Sequence, residues 1–409
     1  MDLIIRRAVI AGAAGLSTVD IGIAGGRIIA IAPNLVAEAA ERDAEGCLLV
    51  PGLIETHIHL DKTCILDRCR AEEGTVAEAV RETAAAKRSF TPEDVYARGR
   101  RTLERCIAHG TMHMRTHVEL DPGIGMIGFE GVEQLRRDYA WALDLELCVF
   151  PQEGLLNNPG TEELLIAGLR RGARVIGAVP YIDTNPRGQI DRIFEIAREY
   201  DVDIDMHLDL AETTDGMQVD YVCQQTEAFG WGGRVAVGHV TQLSLLPPAC
   251  FGAIATRLAN AGVAVTVLPA TDLYLMGRTH DHAVPRGVVP VERLREAGVT
   301  CSISTNNVLN PFTPYGDGSL IRMANLYANV CHVARPDALA ACLSMITEEA
   351  ARLLRLPSYG IHVGAPADVV LLDATNPAEA IATLAPPLWG LRGGRESFVR
   401  PRAILRGPE

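Results

Sequence analysis

A chain of 409 residues, 48% hydrophobic and 22% charged, has the composition of an ordinary folded protein and can bury a large core. A net charge of −13 without any lysine- and arginine-rich block argues against nucleic acid or an anionic membrane as partner, leaving small-molecule chemistry as the default. Ten scattered cysteines form no C-x-x-C pair, the N-terminus lacks signal-peptide design, and no apolar run reaches the ~20 residues of a membrane span, so a cytoplasmic protein with reduced thiols is expected.

The first fifty residues alternate like β-structure: "LIIRRAVIAG", "VDIGIAGGRIIAIAP", "GCLLVPG". The tail does the same in "ADVVLLDA" and "RAILRG", so 1–50 and 359–409 are expected to pair as one small β-domain built from both termini. Between them, over 51–358, eight strand-like segments occur: 54–60, 111–120, 145–152, 174–180, 202–210, 234–240, 263–269 and 299–304. Amphipathic stretches such as "TVAEAVRETAAAKRSF" and "QIDRIFEIAREY" separate them. Eight strand-then-helix units predict an α/β fold, a (β/α)₈ TIM-like barrel. No GxGxxG follows the first strand, which counts against a nicotinamide-dependent oxidoreductase.

Four of the eleven histidines, His57, His59, His207 and His239, lie at or near the far ends of segments one, five and six. In a barrel those ends share the active-site face. His57 and His59, two apart, point to the same side of a strand and suit one metal ion. An isolated histidine of this kind is more often a hydrogen-bonded core residue. Four on one face weigh against that. His117, on segment two, is expected beside the site or on substrate, while His280 and His282 read as solvated.

The ordered segments "PGLIETHIHLDKT" (51–63), "RTHVEL" (115–120), "VFPQEGLL" (149–156), "GAVPYID" (177–183), "DIDMHLD" (203–209), "GHVTQL" (238–243) and "NPFTPYGDGSLIRMANL" (310–326) are similar to the amidohydrolase superfamily. The resemblance is to the branch holding cytosine deaminase and N-isopropylammelide isopropylaminohydrolase. It implies a barrel with one divalent metal, zinc or iron with manganese admissible. By motif match, His57, His59 and His207 are metal ligands, and His239 orients or polarises the attacked group. Gln152 matches a glutamine that binds heterocyclic substrate, and Lys62 belongs to the first motif. Such an ion lowers the pKa of its water to roughly 7.

Two acids of the family pattern are missing. Asn306 stands where the metal-touching aspartate of strand eight belongs, and Leu210 where a glutamate protonates a ring nitrogen. A neutral amide is barely basic, and leucine transfers no proton. Three readings stay open. Other carboxylates take over, with Asp209 preferred and Glu212, Asp272 and Glu119 as alternatives; or the metal site is lost and the chain only binds a heterocycle; or His239 or the substrate itself is the base. Retained hydrolysis of a C–N bond in a small nitrogen heterocycle or amide, not cytosine, is the expectation, with a non-catalytic binder as rival.

The long loop 272–290 reads as a lid whose Arg278 contacts substrate, with Arg286 nearby. In the loop after strand eight, Asn310, Pro311 and Asp317 are expected to shape the pocket wall, Tyr181 reads as a partly buried aromatic rather than a substrate contact, and Glu55 and Asp61 orient the first histidines. A homo-oligomer is expected, its order left open.

Overall fold

The computed structural model describes residues 1–12 and 15–406. Eight parallel strands form one sheet in sequential order: β6 (Leu53–Ile58), β7 (Thr111–Glu119), β8 (Asp144–Phe150), β9 (Val175–Ala178), β10 (Asp203–Leu208), β11 (Val235–His239), β12 (Val263–Val267) and β13 (Cys301–Ile303). They coincide with the eight expected segments. The sheet closes on itself through the parallel bridge Ile58↔Asn306, with His59 N donating to Asn306 O and Asn306 N to His57 O, both at 2.9 Å.

Five strands precede the barrel: β1 (Leu3–Gly12), β2 (Gly15–Ala24), β3 (Arg27–Ala32), β4 (Ala40–Asp43) and β5 (Leu48–Pro51). Three follow it: β14 (Val369–Leu372), β15 (Pro387–Arg392) and β16 (Arg395–Val399). They make a second sheet in the order β16-β15-β14-β5-β1-β2-β3, with β4 on β1, so the two ends of the chain meet at the β5–β14 pair. The period of two serves two cores there. Leu48, Val50, Val370 and Leu372 pack with the barrel, while Leu49, Val369 and Leu371 pack within the sheet.

One tail assignment changes. "RAILRG" is not a strand: residues 402–406 are irregular and exposed, and 407 lies outside the described residues. The pairing partner is the hairpin β15–β16, turned by Gly393 and Gly394, both at positive φ, as a two-residue hairpin loop requires. Ile404 and Leu405 have no sheet to enter, and Arg402 instead reaches Glu45 and Asp373.

Helices follow the strands: α1 (Val76–Lys87), α2 (Pro92–Ala108), α3 (Ile127–Asp138), α4 (Thr161–Arg170), α5 (Pro186–Tyr200), α6 (Val219–Phe229), α7 (Pro248–Ala261), α8 (Pro269–Leu275), α9 (Val291–Glu296) and α10 (Leu320–Val330). Their starts are written in the sequence. Thr75 accepts from Glu78 N, Thr91 from Asp94 N ahead of Pro92, and Ser319 from Arg322 N, each satisfying an otherwise orphaned helix donor. No helix among the described residues is long and apolar enough to cross a membrane. All ten cysteines are free.

Where the ladder between β6 and β13 is thin, side chains close the barrel. Thr56 Oγ1 lies 2.8 Å from Ser302 Oγ and 2.6 Å from Ser304 Oγ, and the buried Glu55 carboxylate accepts from Thr305 N at 3.1 and 3.2 Å and from His57 N at 3.3 Å. Burial outweighs these hydrogen bonds and raises the Glu55 carboxyl to about 7. Its folded value lies above its unfolded one, so the folded state binds the extra proton and stability falls as pH rises from about 4.5 to 7. Glu55→Gln removes that titration. Urea unfolding of the metal-free protein is expected to show the variant gaining on the parent by up to about 3 kcal/mol across this window; a constant difference with pH would exclude Glu55 as the titrating group.

Candidate active site

The carboxyl ends of β6, β10, β11 and β13 carry His57, His59, His207, His239 and Asn306, all buried. Backbone strain gathers at this rim: Asp209, His239, Val240 and Asn306 all have positive φ, uncommon outside glycine and for Val240 an outlier. The turns these residues make at the strand ends re-aim the side chains into the barrel mouth.

Three imidazole nitrogens converge. His207 Nε2 lies 3.1 Å from His57 Nε2 and 3.0 Å from His59 Nε2. Burial holds His57 at about 3 and keeps His59 and His207 well below the ordinary range, so all three are neutral. A neutral imidazole has one N–H and one lone pair, and three Nε2 atoms crowded on one point cannot all satisfy one another. Three lone pairs at that point form the donor set of a divalent cation. Asn306 Oδ1, buried and without a hydrogen-bond partner among the described residues, supplies a further oxygen at the same rim.

Beneath the trio sits a carboxylate that sequence reasoning passed over. Asp205 Oδ1 is 3.5 Å from both His57 Nδ1 and His117 Nε2, and its Oδ2 accepts from Arg115 at 3.0 Å. Although burial opposes ionisation, the contacts with His117 and His57 hold Asp205 far below the usual carboxylate range. An ionised Asp205 facing Nδ1 keeps the proton there and leaves the lone pair on Nε2. The signal was available: Asp205 and His207, two residues apart, share one face of β10. His117, stacked on His57 at 3.8 Å, thus lies against a metal-site histidine.

The expected proton carriers go to different places. Asp209 accepts Gln218 N at 2.8 Å and Val219 N at 3.0 Å, so both its oxygens cap the start of α6. Its carboxyl, raised to about 6 by burial, is engaged with that helix, and the preferred candidate for the relay is therefore not joined to the histidines by any hydrogen bond. Glu212 accepts from Arg278 N and Thr279 and holds the 272–290 loop. Glu119 pairs with Lys62 at 2.6 Å. Asp272, on α8, alone meets a site histidine: its Oδ1 is 2.6 Å from His239 Nδ1. His239 Nε2 in turn faces Asn306 Nδ2 at 3.5 Å, and its ring centroid is 5.6 Å from that of His207.

One wall of the mouth is polar. Lys62 Nζ donates to Glu119 Oε1 and, at 2.8 Å, to Gln152 Oε1, and it lies 5.2 Å from the Phe150 ring centroid and 4.8 Å from that of Phe312. The other wall is apolar: Leu210, Leu275, Met276, Phe312 and Ala79 form one cluster, with Tyr181 and Tyr274 against it. Leu210 therefore continues a greasy surface where the family pattern has an acid. Arg278 is not brought to the histidines. Its guanidinium donates to Tyr274 O and stacks on the Tyr274 ring at 4.6 Å, on the exposed side of that wall. There it lines an open groove of about 810 Å³ with Tyr274, Met276 and Tyr315. Arg286 donates to Val330 O, also away from the site.

A closed parallel barrel with a buried histidine trio and an adjacent histidine–carboxylate pair at its carboxyl rim has the donor set at which a divalent ion would be held for hydrolysis. The family model described as "Amidohydrolase family" matches residues 40–138 and 132–388. The chain belongs to the amidohydrolase family and is a hydrolase of carbon–nitrogen bonds. It is 28% identical over 404 residues to N-isopropylammelide isopropyl amidohydrolase of Pseudomonas sp. (strain ADP), covering 96% of each chain. Among solved structures, 5-methylcytosine deaminase from Klebsiella pneumoniae liganded with 5-fluorocytosine superposes with a TM-score of 0.94 at 27% identity, covering 99% of both chains. N-isopropylammelide isopropylaminohydrolase from Burkholderia multivorans does so with a TM-score of 0.84 at 31% identity, covering 97% of this chain and 98% of that one.

The role of Asp205 is open to direct measurement. Asp205→Asn is expected to weaken metal binding about 10- to 100-fold in chelator competition on the stripped protein, with circular dichroism unchanged. Unaltered affinity would mean that packing alone orients His57.

Proposed function

We propose that this protein releases ammonia or an amine from a small nitrogen heterocycle by metal-assisted hydrolysis, with His239 as the proton carrier. The observation that carries this reading is the pairing of two features: three neutral Nε2 lone pairs on one point, and beside them a histidine whose Nδ1 is bonded to Asp272. His57, His59 and His207 would hold a divalent ion, zinc or iron with manganese admissible, and Asn306 Oδ1 would add to the set. Such an ion, when bound, activates water and polarises the attacked carbon–nitrogen unit.

The chain's own groups do the rest. Asp272 accepts the Nδ1–H of His239, which leaves the lone pair on Nε2, where only the long 3.5 Å contact with Asn306 Nδ2 competes for it. His239 Nε2 takes a proton from the attacking water and returns it to the departing nitrogen, so the C–O bond forms, the C–N bond breaks and the amine leaves neutral. Asn306 orients but does not accept the proton, because its amide is barely basic. Asp209 remains with its helix. Leu210 offers no proton to a ring nitrogen, which disfavours cytosine, and Gln152 and Lys62 meet the substrate from the polar wall. The free cysteines suit a reducing cytoplasm.

His239→Ala is expected to lower kcat by about 10²- to 10⁴-fold against aminated and alkylaminated heterocycles while metal content stays stoichiometric. Asn306→Asp is expected to raise metal affinity. Protein that stays metal-free under metal-replete conditions would favour a binding protein instead, and rapid ammonia release from cytosine would overturn the reading of Leu210.

A further inference from the structure

The rim of the barrel is closed off from outside. His57, His59, His207, His239 and Asn306 expose at most 4% of their surface, too little for a six-membered ring to reach them. The cover is thin. Tyr274 and Met276 pack with the Leu210 cluster on one side and line the open groove of about 810 Å³ on the other, so a single layer of side chains divides that groove from the mouth. Its seam lies at Arg278, where the segment leading into α1 meets the loop after β12. A Cβ added to Gly74, itself at a φ of 66°, would fall 2.8 Å from Arg278 Cζ and 3.1 Å from the Tyr274 hydroxyl. Glycine there lets the guanidinium lie down on the Tyr274 ring, with its Nε donating to Tyr274 O at 2.9 Å, and shut the joint. Beyond the seam, residues 278–284 are all exposed, and Gly277 and Gly287, at φ 77° and 69°, bracket the loop. Glu212, in the segment after β10, fastens it by accepting from Arg278 N at 2.8 Å, from Thr279 N at 3.2 Å and from the Thr279 hydroxyl.

We infer that the loop 277–287 is a gate between the groove and the histidines, with Arg278 as its seal against Gly74 and Glu212 as its latch. The groove is the vestibule through which a small heterocycle enters. This goes beyond the hydrolase reading and does not rest on it, because a protein that only bound its heterocycle would have to admit it by the same route. Opening breaks the bonds to Glu212 and the stack of Arg278 on Tyr274, all of them at exposed residues, so it is a local event that leaves the barrel intact. Closure keeps bulk water from the rim. The two glycines, tolerant of positive φ, are where the backbone turns as the loop swings.

Diethyl pyrocarbonate, which acylates neutral imidazole, tests the gate without turnover. In the full chain freed of metal by chelation, peptide-resolved mass spectrometry is expected to show His59 and His207 acylated at least about 100-fold more slowly than the exposed His362. Arg278→Ala and Gly74→Ala, which open the seam from its two sides, should each speed the two rim histidines about tenfold, and the double variant no further, because both break the same contact. Glu212→Ala should give a similar gain through the latch. Should Gly74→Ala fail to fold because of its positive φ, Arg278→Ala and Glu212→Ala carry the test. Rim histidines as reactive as His362 in the parent, or unmoved in Arg278→Ala and Glu212→Ala, would overturn the inference. So would a rise shared by His109 and His113 at the opposite end of the barrel, the mark of general loosening. A parent that shows this protection but cleaves no C–N bond would remove the hydrolase reading and leave the gate standing.

Discussion

Three imidazole nitrogens gathered in a buried site, with His207 Nε2 3.1 Å from His57 Nε2 and 3.0 Å from His59 Nε2, are the constraint around which the rest of this structure is arranged. One N–H···N contact between neutral imidazoles still leaves lone pairs facing one point, the donor set a divalent cation would use, and holding that set needs a rigid frame. The frame is the barrel. Two of the rings come from one strand and the third from the opposite wall, so their meeting depends on barrel closure at β6 and β13, where Glu55, Thr56, Ser302 and Ser304 replace a full ladder. Below them Asp205, paired with the buried Arg115, faces His57 Nδ1 at 3.5 Å. A buried ion pair contributes little net stability, which favours reading it as a device for orientation.

The same crowding explains why the loss of two acids need not end catalysis. An aspartate at position 306 would bring a charge close to the trio; asparagine supplies only an oxygen dipole. The charge reappears one step away, on Asp272, where it acts through His239 instead of on the metal site directly. Under the proposed mechanism, a histidine so held can accept a proton at Nε2 and return it to the departing nitrogen. Leu210 lies in an apolar cluster, so no acid faces a substrate ring from that position.

Much of the fold was legible because its signals are local. Eight apolar segments of strand length separated by amphipathic stretches admit few architectures, and Thr75, Thr91 and Ser319 mark helix starts by a chemistry that needs no partner elsewhere in the chain. The tail was harder. "RAILRG" alternates as well as "PLWGLR" does, but only the latter is followed by a Gly-Gly turn and a second strand that completes its hydrogen bonds. Alternation alone reports a face and says nothing of whether a neighbour exists to cover it.

The site divides along the same line. Residue type and spacing pointed to the histidines at the strand ends and to the barrel that carries them, because i, i+2 spacing on a strand and position at a strand end are properties of the local chain; the ligand set and the two missing acids came from the resemblance of the ordered motifs. Which carboxylate meets which histidine was decided only by the folded structure. Asp209 is two residues from His207 yet caps a helix, whereas Asp272 is 33 residues from His239 and bonds to it. Sequence proximity does not tell a carboxylate whether a helix start or an imidazole will face it. That follows from how β10, β11 and α8 pack, and the unpaired backbone donors at the start of α6 take the nearer acid first.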